Sequence, residues 1–242
     1  MILVYILLAS VAGGFIQTTL GFGYGILVMA VFPLFIASIP QAAALSAAVS
    51  LVCAILLLIR MYKLAQIKKL LFPLLFYFLL MPICAKASLK IPTAELKLFL
   101  GMVMVGLAFF YILGFEKIKV PDNWIGGIIA GILCGILGGF FAVGGPPVVI
   151  YCLGIIEDKD SYLATMQAFF VIINIYGTIV RVVNGIIQLE MLPWILAGSM
   201  GLLLGIVLGK KVYRKIEMES LKIWIYGFIG LNGMWIIISY FI

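Results

Sequence analysis

Two glycine-punctuated breaks inside very long apolar runs constrain this chain more than any other feature. The first is Gly21-Phe22-Gly23-Tyr24-Gly25, with Gln17-Thr18-Thr19 just ahead of it. The second is Ala142-Val143-Gly144-Gly145-Pro146-Pro147, preceded by Gly138-Gly139-Phe140-Phe141. Proline lacks the amide donor and clashes with the preceding turn, so a helix cannot run through the second stretch unbroken. Proline is well suited to a first helical turn, so a helix can start there. Both stretches are expected to be breaks at membrane depth, each presenting the amino end of a half-helix.

The solvent around those runs is a bilayer. Of 242 residues 66% are hydrophobic and 10% charged, and the mean hydropathy is +1.31. A soluble domain carries about 45–50% apolar and about 25% charged residues. The net charge of +7 sits in short loops between apolar spans, as the positive-inside rule expects. No basic tail or Lys-aromatic stripe offers a grip on nucleic acid. Cys53, Cys84, Cys134 and Cys152 lie singly in apolar runs and read as small buried hydrophobes. The amino-terminal stretch lacks the positive region of a signal peptide, so it is expected to remain as the first helix.

Apolar segments cover 2–36, 41–59, 70–85, 96–115, 123–153, 161–183, 191–209 and 221–242. A spanning helix needs about 20 residues. The first and fifth segments are too long for one straight crossing, and these two carry the breaks. The order is therefore long, normal, normal, normal, then the same again, which is a repeat. Displacing the sequence by 121 residues lays Gly23 on Gly144, Ser46 on Gln167 and Arg60 on Arg181.

The two loops richest in Lys and Arg, 60–69 and 210–215, are separated by five apolar segments. They share a side only if the broken fifth segment leaves by the side it entered. The halves are then inverted, with 60–69, 115–122, 154–160 and 210–219 cytoplasmic. The expected fold is an all-α polytopic integral membrane protein of two inverted repeats, 1–118 and 119–242, of four hydrophobic segments each. The first segment of each repeat is broken and re-entrant. Inverted repeats with discontinuous helices are characteristic of secondary transporters.

Irregular backbone survives in hydrocarbon only where it lines a polar cavity or is buried by protein. Two breaks in phase point to one shared cavity. A half-helix amino end carries roughly half a positive charge and binds anions. Gly21, Gly23, Gly25, Gly139, Gly144, Gly145 and Pro146 are therefore expected around a small anion, with Gln17, Thr18 and Tyr24 adding polar groups. Ser46, Ser50, Gln167 and Asn174 stand on the segments behind. For the two serines a bond back to the preceding helical turn is the competing reading. Arg60 and Arg181 end their segments, where they either snorkel to the interface or attract anions at the two pathway mouths. Gly126, Gly127, Gly131, Gly198, Gly201 and Gly205 sit at helical spacing and read as close-packing positions.

All nine acids lie in or beside loops, and histidine is absent. No side-chain proton relay, metal cluster or catalytic pair is available within the membrane, so neither an enzyme nor a cofactor is expected. A passive channel with paired half-helices is the alternative to a carrier.

The run from Gly135 to Tyr151 resembles the second signature of the TauE/SafE family of sulfite exporters, and Gly14 to Pro33 is similar to the first. The resemblance covers essentially the whole chain. It implies a cytoplasmic-membrane carrier of sulfite, thiosulfate or small organosulfonates such as sulfoacetate, taurine or isethionate, and leaves homo-oligomerisation open. The first signature departs from the usual glycine triplet, because Tyr24 stands between Gly23 and Gly25. That puts a phenol where backbone would otherwise approach the ligand.

Overall fold

The computed structural model of the chain describes residues 1–114, 124–212 and 218–241. Among them the regular structure is all helical: α1 (Ile2–Leu20), α2 (Tyr24–Val31), α3 (Ile39–Leu58), α4 (Leu71–Ala87), α5 (Thr93–Ile112), α6 (Trp124–Phe141), α7 (Gly145–Ile155), α8 (Lys159–Val183), α9 (Leu192–Val212) and α10 (Met218–Phe241). Among the described residues seven stretches are long and apolar enough to cross a membrane; Tyr24–Leu34, Gly145–Ile155 and Tyr226–Phe241, in α2, α7 and α10, are shorter apolar helices. Leu79, Ile83, Phe109 and Met200 face outward, so the bundle is apolar on its outside as well as its inside. This is a multi-pass membrane protein.

Local sequence sets the helix ends. Ser38 caps α3 by accepting from Gln41 N, with Pro40 in the first turn. Asp158 caps α8, accepting from Ser161 N at 2.8 Å. The Ser161 hydroxyl and then this backbone hydrogen bond hold the Asp158 carboxyl below the usual carboxylate range. Lys69 donates to Ile155 O, the last carbonyl of α7, where a cation complements the helix dipole.

Lipid tails are as apolar as Leu, so membrane helices associate through close backbone approach at small residues. Gly127, Gly131, Gly135 and Gly139 lay one ridge of α6 against Phe72, Pro73, Phe76, Leu80 and Cys84 of α4. Gly198, Gly201 and Gly205 do the same for α9 against Ile6, Leu7 and Val11 of α1. In both pairs the residue numbers rise together, so the helices run parallel. Gly101 meets Gly233 and Ile237 while Ala108 meets Gly230, so α5 and α10 run antiparallel. Asn174 reaches Ser50, and Gln66 N donates to Thr165 Oγ1, so α3 and α8 are antiparallel too. Exchanging the two halves maps this pairing onto itself: α1 with α9 becomes α6 with α4. The pairs α3 with α8 and α5 with α10 map onto themselves.

A Cβ on Gly201 would fall well inside contact distance of Leu7 O. Gly201→Leu is therefore expected to cost about 3 kcal/mol, the upper end for overpacking. The check is a lower Tm and poorer monodispersity in detergent.

Both breaks fall where the sequence places them, in the same register. The long helices end at Leu20 and Phe141 and the short ones start at Tyr24 and Gly145, displaced by the same 121 residues. The first residue after each long helix is left-handed: Gly21 at φ +81° and Ala142 at φ +56°. The chain then doubles back. Gly13 of α1 packs on Tyr24 and Val28 of α2, and Gly127 of α6 lies beside Tyr151 of α7. Each broken segment is a helical hairpin with one long and one short arm.

Candidate anion site

The two hairpin tips meet. A Cβ on Gly25 would stand 2.9 Å from Ala142 O, so backbone packs on backbone with no room for a side chain. Around this contact lies a small cavity, with about 30 Å³ of room for the centres of water-sized atoms. Gln17, Phe22, Gly23, Gly25 and Ile26 line it from the first break, and Ala142 to Pro146 from the second. Ser50 of α3 and Phe170, Ile173 and Asn174 of α8 close it from behind.

Its polar groups are arranged as donors with spare capacity. Gln17 is 2% exposed; its Oε1 accepts from Tyr24 N at 3.0 Å, and its Nε2 has no protein partner. Gly25 and Ile26, next in the first turn of α2, have amides without an intrahelical acceptor. Asn174 Nδ2 donates to Ser50 Oγ at 3.3 Å. Gln167 Nε2 donates to Gly21 O at 2.8 Å, holding the first break, while its Oε1 and Ser46 Oγ lack protein partners. An unsatisfied buried polar group costs roughly 1–3 kcal/mol. Of the three, only Gln17 belongs to the wall of this cavity, and its Nε2 is the spare donor there.

The second break gives fewer donors than the sequence reading assigned it. Pro146 and Pro147 have no N–H, so in its first turn α7 offers only the Gly145 amide together with its dipole. The first break supplies most of the hydrogen bonding.

A second cavity of about 710 Å³ opens beside the first, and Gln17 and Phe22 line both. Thr18, Thr19, Gly21 and Gln167 form its inner wall. Arg60, Lys159 and Lys210 stand around it with Glu157 and Asp160. It is a vestibule with three cations and two acids.

Several expected site residues lie elsewhere. The Tyr24 phenol points away from the cavity: it is fully buried against Gly13, and its hydroxyl pairs with Ser10 Oγ at 3.0 Å. Gly139 packs on Met81 and Cys84 of α4 and belongs to the helix-packing ridge. Ser46 lies behind Gly25 and does not reach the cavity wall. The recorded partner of Ser50 Oγ is Asn174, from which it accepts, and Ser46 Oγ has no partner, so the structure records no bond from either serine back to its own helix. Thr18 donates to Gly14 O and, like Gly21 and Gln167, borders the vestibule. Arg181 does not snorkel, and its guanidinium is not presented to solvent. It is 1% exposed, and its Nη2 donates to Gly138 O at 2.7 Å and Gly139 O at 3.2 Å. The carbonyl end of α6 attracts it more strongly than distant water does.

The sequence reading missed Phe22, Phe170, Ile26 and Ile173, which form the apolar walls. A signal existed for Phe170, which shares a helical face with Gln167 and Asn174. Tyr24→Phe is expected to leave apparent anion affinity within about twofold of wild type while losing about 1 kcal/mol of stability. Uptake titrations and a melting curve check this.

A lipid-facing helical bundle that keeps a donor-lined cavity between paired chain breaks is the architecture of a membrane transport protein. The chain matches the family model of the sulfite exporter TauE/SafE over residues 6–236 and belongs to that family of sulfur-anion transporters. No curated protein and no solved structure matches it.

Proposed function

We propose that this protein is a secondary carrier of small sulfur-containing anions, working by alternating access around the cavity between the two breaks. The observation that carries this reading is the contact of Gly25 with Ala142 O beside the unpartnered Gln17 Nε2. It puts both half-helix amino ends and a spare donor on one buried point.

The helix directions support inversion of the two halves, 1–118 and 119–242. A symmetry that carries α3 onto its antiparallel partner α8, and α5 onto α10, reverses direction across the bilayer. Each half then crosses three times, and both hairpins return to the side they entered. The Lys- and Arg-rich loops share the cytoplasmic face of the cell membrane, and the vestibule opens on that face. Of the loops assigned to it, 115–122 and 213–217 lie outside the described residues.

The substrates are sulfite, thiosulfate or an organosulfonate whose oxyanion end enters the cavity while any organic tail stays in the vestibule. The discriminating experiment is labelled-sulfite uptake into liposomes, with taurine, isethionate and thiosulfate as competitors. A carrier saturates and accelerates label entry when the liposomes are preloaded with unlabelled substrate. Linear, unsaturable flux without such exchange would make the protein a channel and overturn the reading.

A further inference from the structure

Two arginines occupy the same place in the two halves and are held differently. Arg181, on α8, is buried with its guanidinium on Gly138 O, Gly139 O and Gly177 O. The first two carbonyls end α6, and Gly138 O also accepts the closing bond from Ala142 N at 3.0 Å. The same displacement of 121 residues leads from Arg181 to Arg60 and from Gly138 and Gly139 to Gln17 and Thr18, which end α1. Gln17 O accepts the matching closing bond, from Gly21 N at 2.9 Å. The arginine is the part that differs. Arg60 is exposed at the end of α3, without a hydrogen bond or ion pair among the described residues. Arg60 lines the vestibule together with Gln17 and Thr18, the residues in register with Gly138 and Gly139, and bonds neither of their carbonyls.

Resting on the carrier reading, we infer that Arg60 and Arg181 are alternating latches, each closing its own half by gripping the carbonyl end of the broken helix there. The structure is the state with the Arg181 latch shut and the Arg60 latch open, which is why the vestibule gapes on the Arg60 side. In the opposite state Arg60 grips Gln17 O and Thr18 O while Arg181 swings out. Helix carbonyl ends carry partial negative charge, and charge-assisted bonds to them are strong. Bonds broken on one side are remade on the other, so the two states stay close in energy and a bound anion can tip the balance. Arg181 has no carboxylate among its hydrogen-bond partners, whereas Glu157 and Asp160 share the vestibule with Arg60 and are the groups its open position faces.

The test uses full-length protein in liposomes on a Cys84→Ala background, Cys84 being the free cysteine that is not fully buried. Leu163→Cys reports on the vestibule that Leu163 lines. Ala42→Cys reports on its counterpart in the other half, fully buried here. With an impermeant maleimide, Arg181→Ala is expected to speed labelling of Ala42→Cys from the face opposite the vestibule at least tenfold, equivalent to about 1.4 kcal/mol. Labelling of Leu163→Cys from the vestibule face should slow. Arg60→Ala should leave Ala42→Cys protected and slow substrate exchange, and Lys at either position should restore part of the behaviour.

If Arg181→Ala lowers Tm but both labelling rates stay within about twofold, Arg181 is a fixed helix cap and the latch is refuted. Wild-type exchange by Arg60→Ala refutes it as well. Absence of exchange by the unsubstituted protein is a separate result: it overturns the carrier reading, and the latch falls with it.

Discussion

Gln17→Glu is expected to abolish anion uptake while the protein still folds and inserts. The substitution is isosteric. One carboxylate oxygen can still accept from Tyr24 N, as Oε1 does at 3.0 Å. The other takes the position of Nε2, the buried donor with no partner. A carboxylate at the amino end of α2 is favoured by the helix dipole, so the fold tolerates it. An arriving anion meets a like charge instead of a donor. At about 4 Å and an effective dielectric near 20, that repulsion is about 4 kcal/mol, roughly a thousandfold in affinity. Gln17→Leu removes the donor without adding charge and should cost only about tenfold. A Glu variant that transports like wild type would remove Gln17 from the site. Position 144 cannot serve for this test, because a Cβ there already falls 2.7 Å from Cys134 O.

The second large effect is expected from a single methyl group. Gly25→Ala drives a Cβ to within 2.9 Å of Ala142 O, and neither atom belongs to a flexible side chain that could step aside. The hairpin tips must separate by several tenths of an ångström. Stability should fall by about 1–3 kcal/mol, but transport should fall more than tenfold, because binding geometry is lost at smaller displacements than packing is. Gly106→Ala is the control, since nothing lies within 4 Å of a Cβ there; it should match wild type in uptake and Tm. Equal behaviour of the two variants would mean that close approach of the breaks is incidental.

The parts of this architecture readable from one sequence are those with a local cause. Glycine followed by paired proline ends one helix and starts another at the second break, and closely spaced glycines interrupt the first over-long apolar run, so both breaks and their common register were visible. Helix pairing was not, because nothing in α1 names α9 as its neighbour; the glycines of α9 announce a close partner without saying which. The spacing of Gly127, Gly131, Gly135 and Gly139 did carry information. A glycine every fourth residue marks one packing ridge, which takes Gly139 out of the ligand site.

Tyr24 was misplaced because the direction of its phenol depends on Gly13 leaving space and Ser10 offering a partner, both from another helix. Arg181 was misplaced because a lone arginine ending an apolar run ordinarily reaches water, and the carbonyl end that holds it lies some forty residues away in sequence. The missing amides of Pro146 and Pro147 were legible from the start. Their consequence is a cavity whose hydrogen bonding comes mainly from the first break.

On the carrier reading, one small anion binds between the two hairpin tips. Selenite, a sulfite analogue with a strong anomalous signal, makes it directly visible in crystals of the protein. One anomalous peak is expected within hydrogen-bonding distance of Gln17 Nε2 and the Gly25 amide, beside Gly145, and is expected to vanish in Gln17→Glu. A peak confined to the vestibule near Arg60 and Lys210, with the cavity between the tips empty at saturating selenite, would contradict that reading.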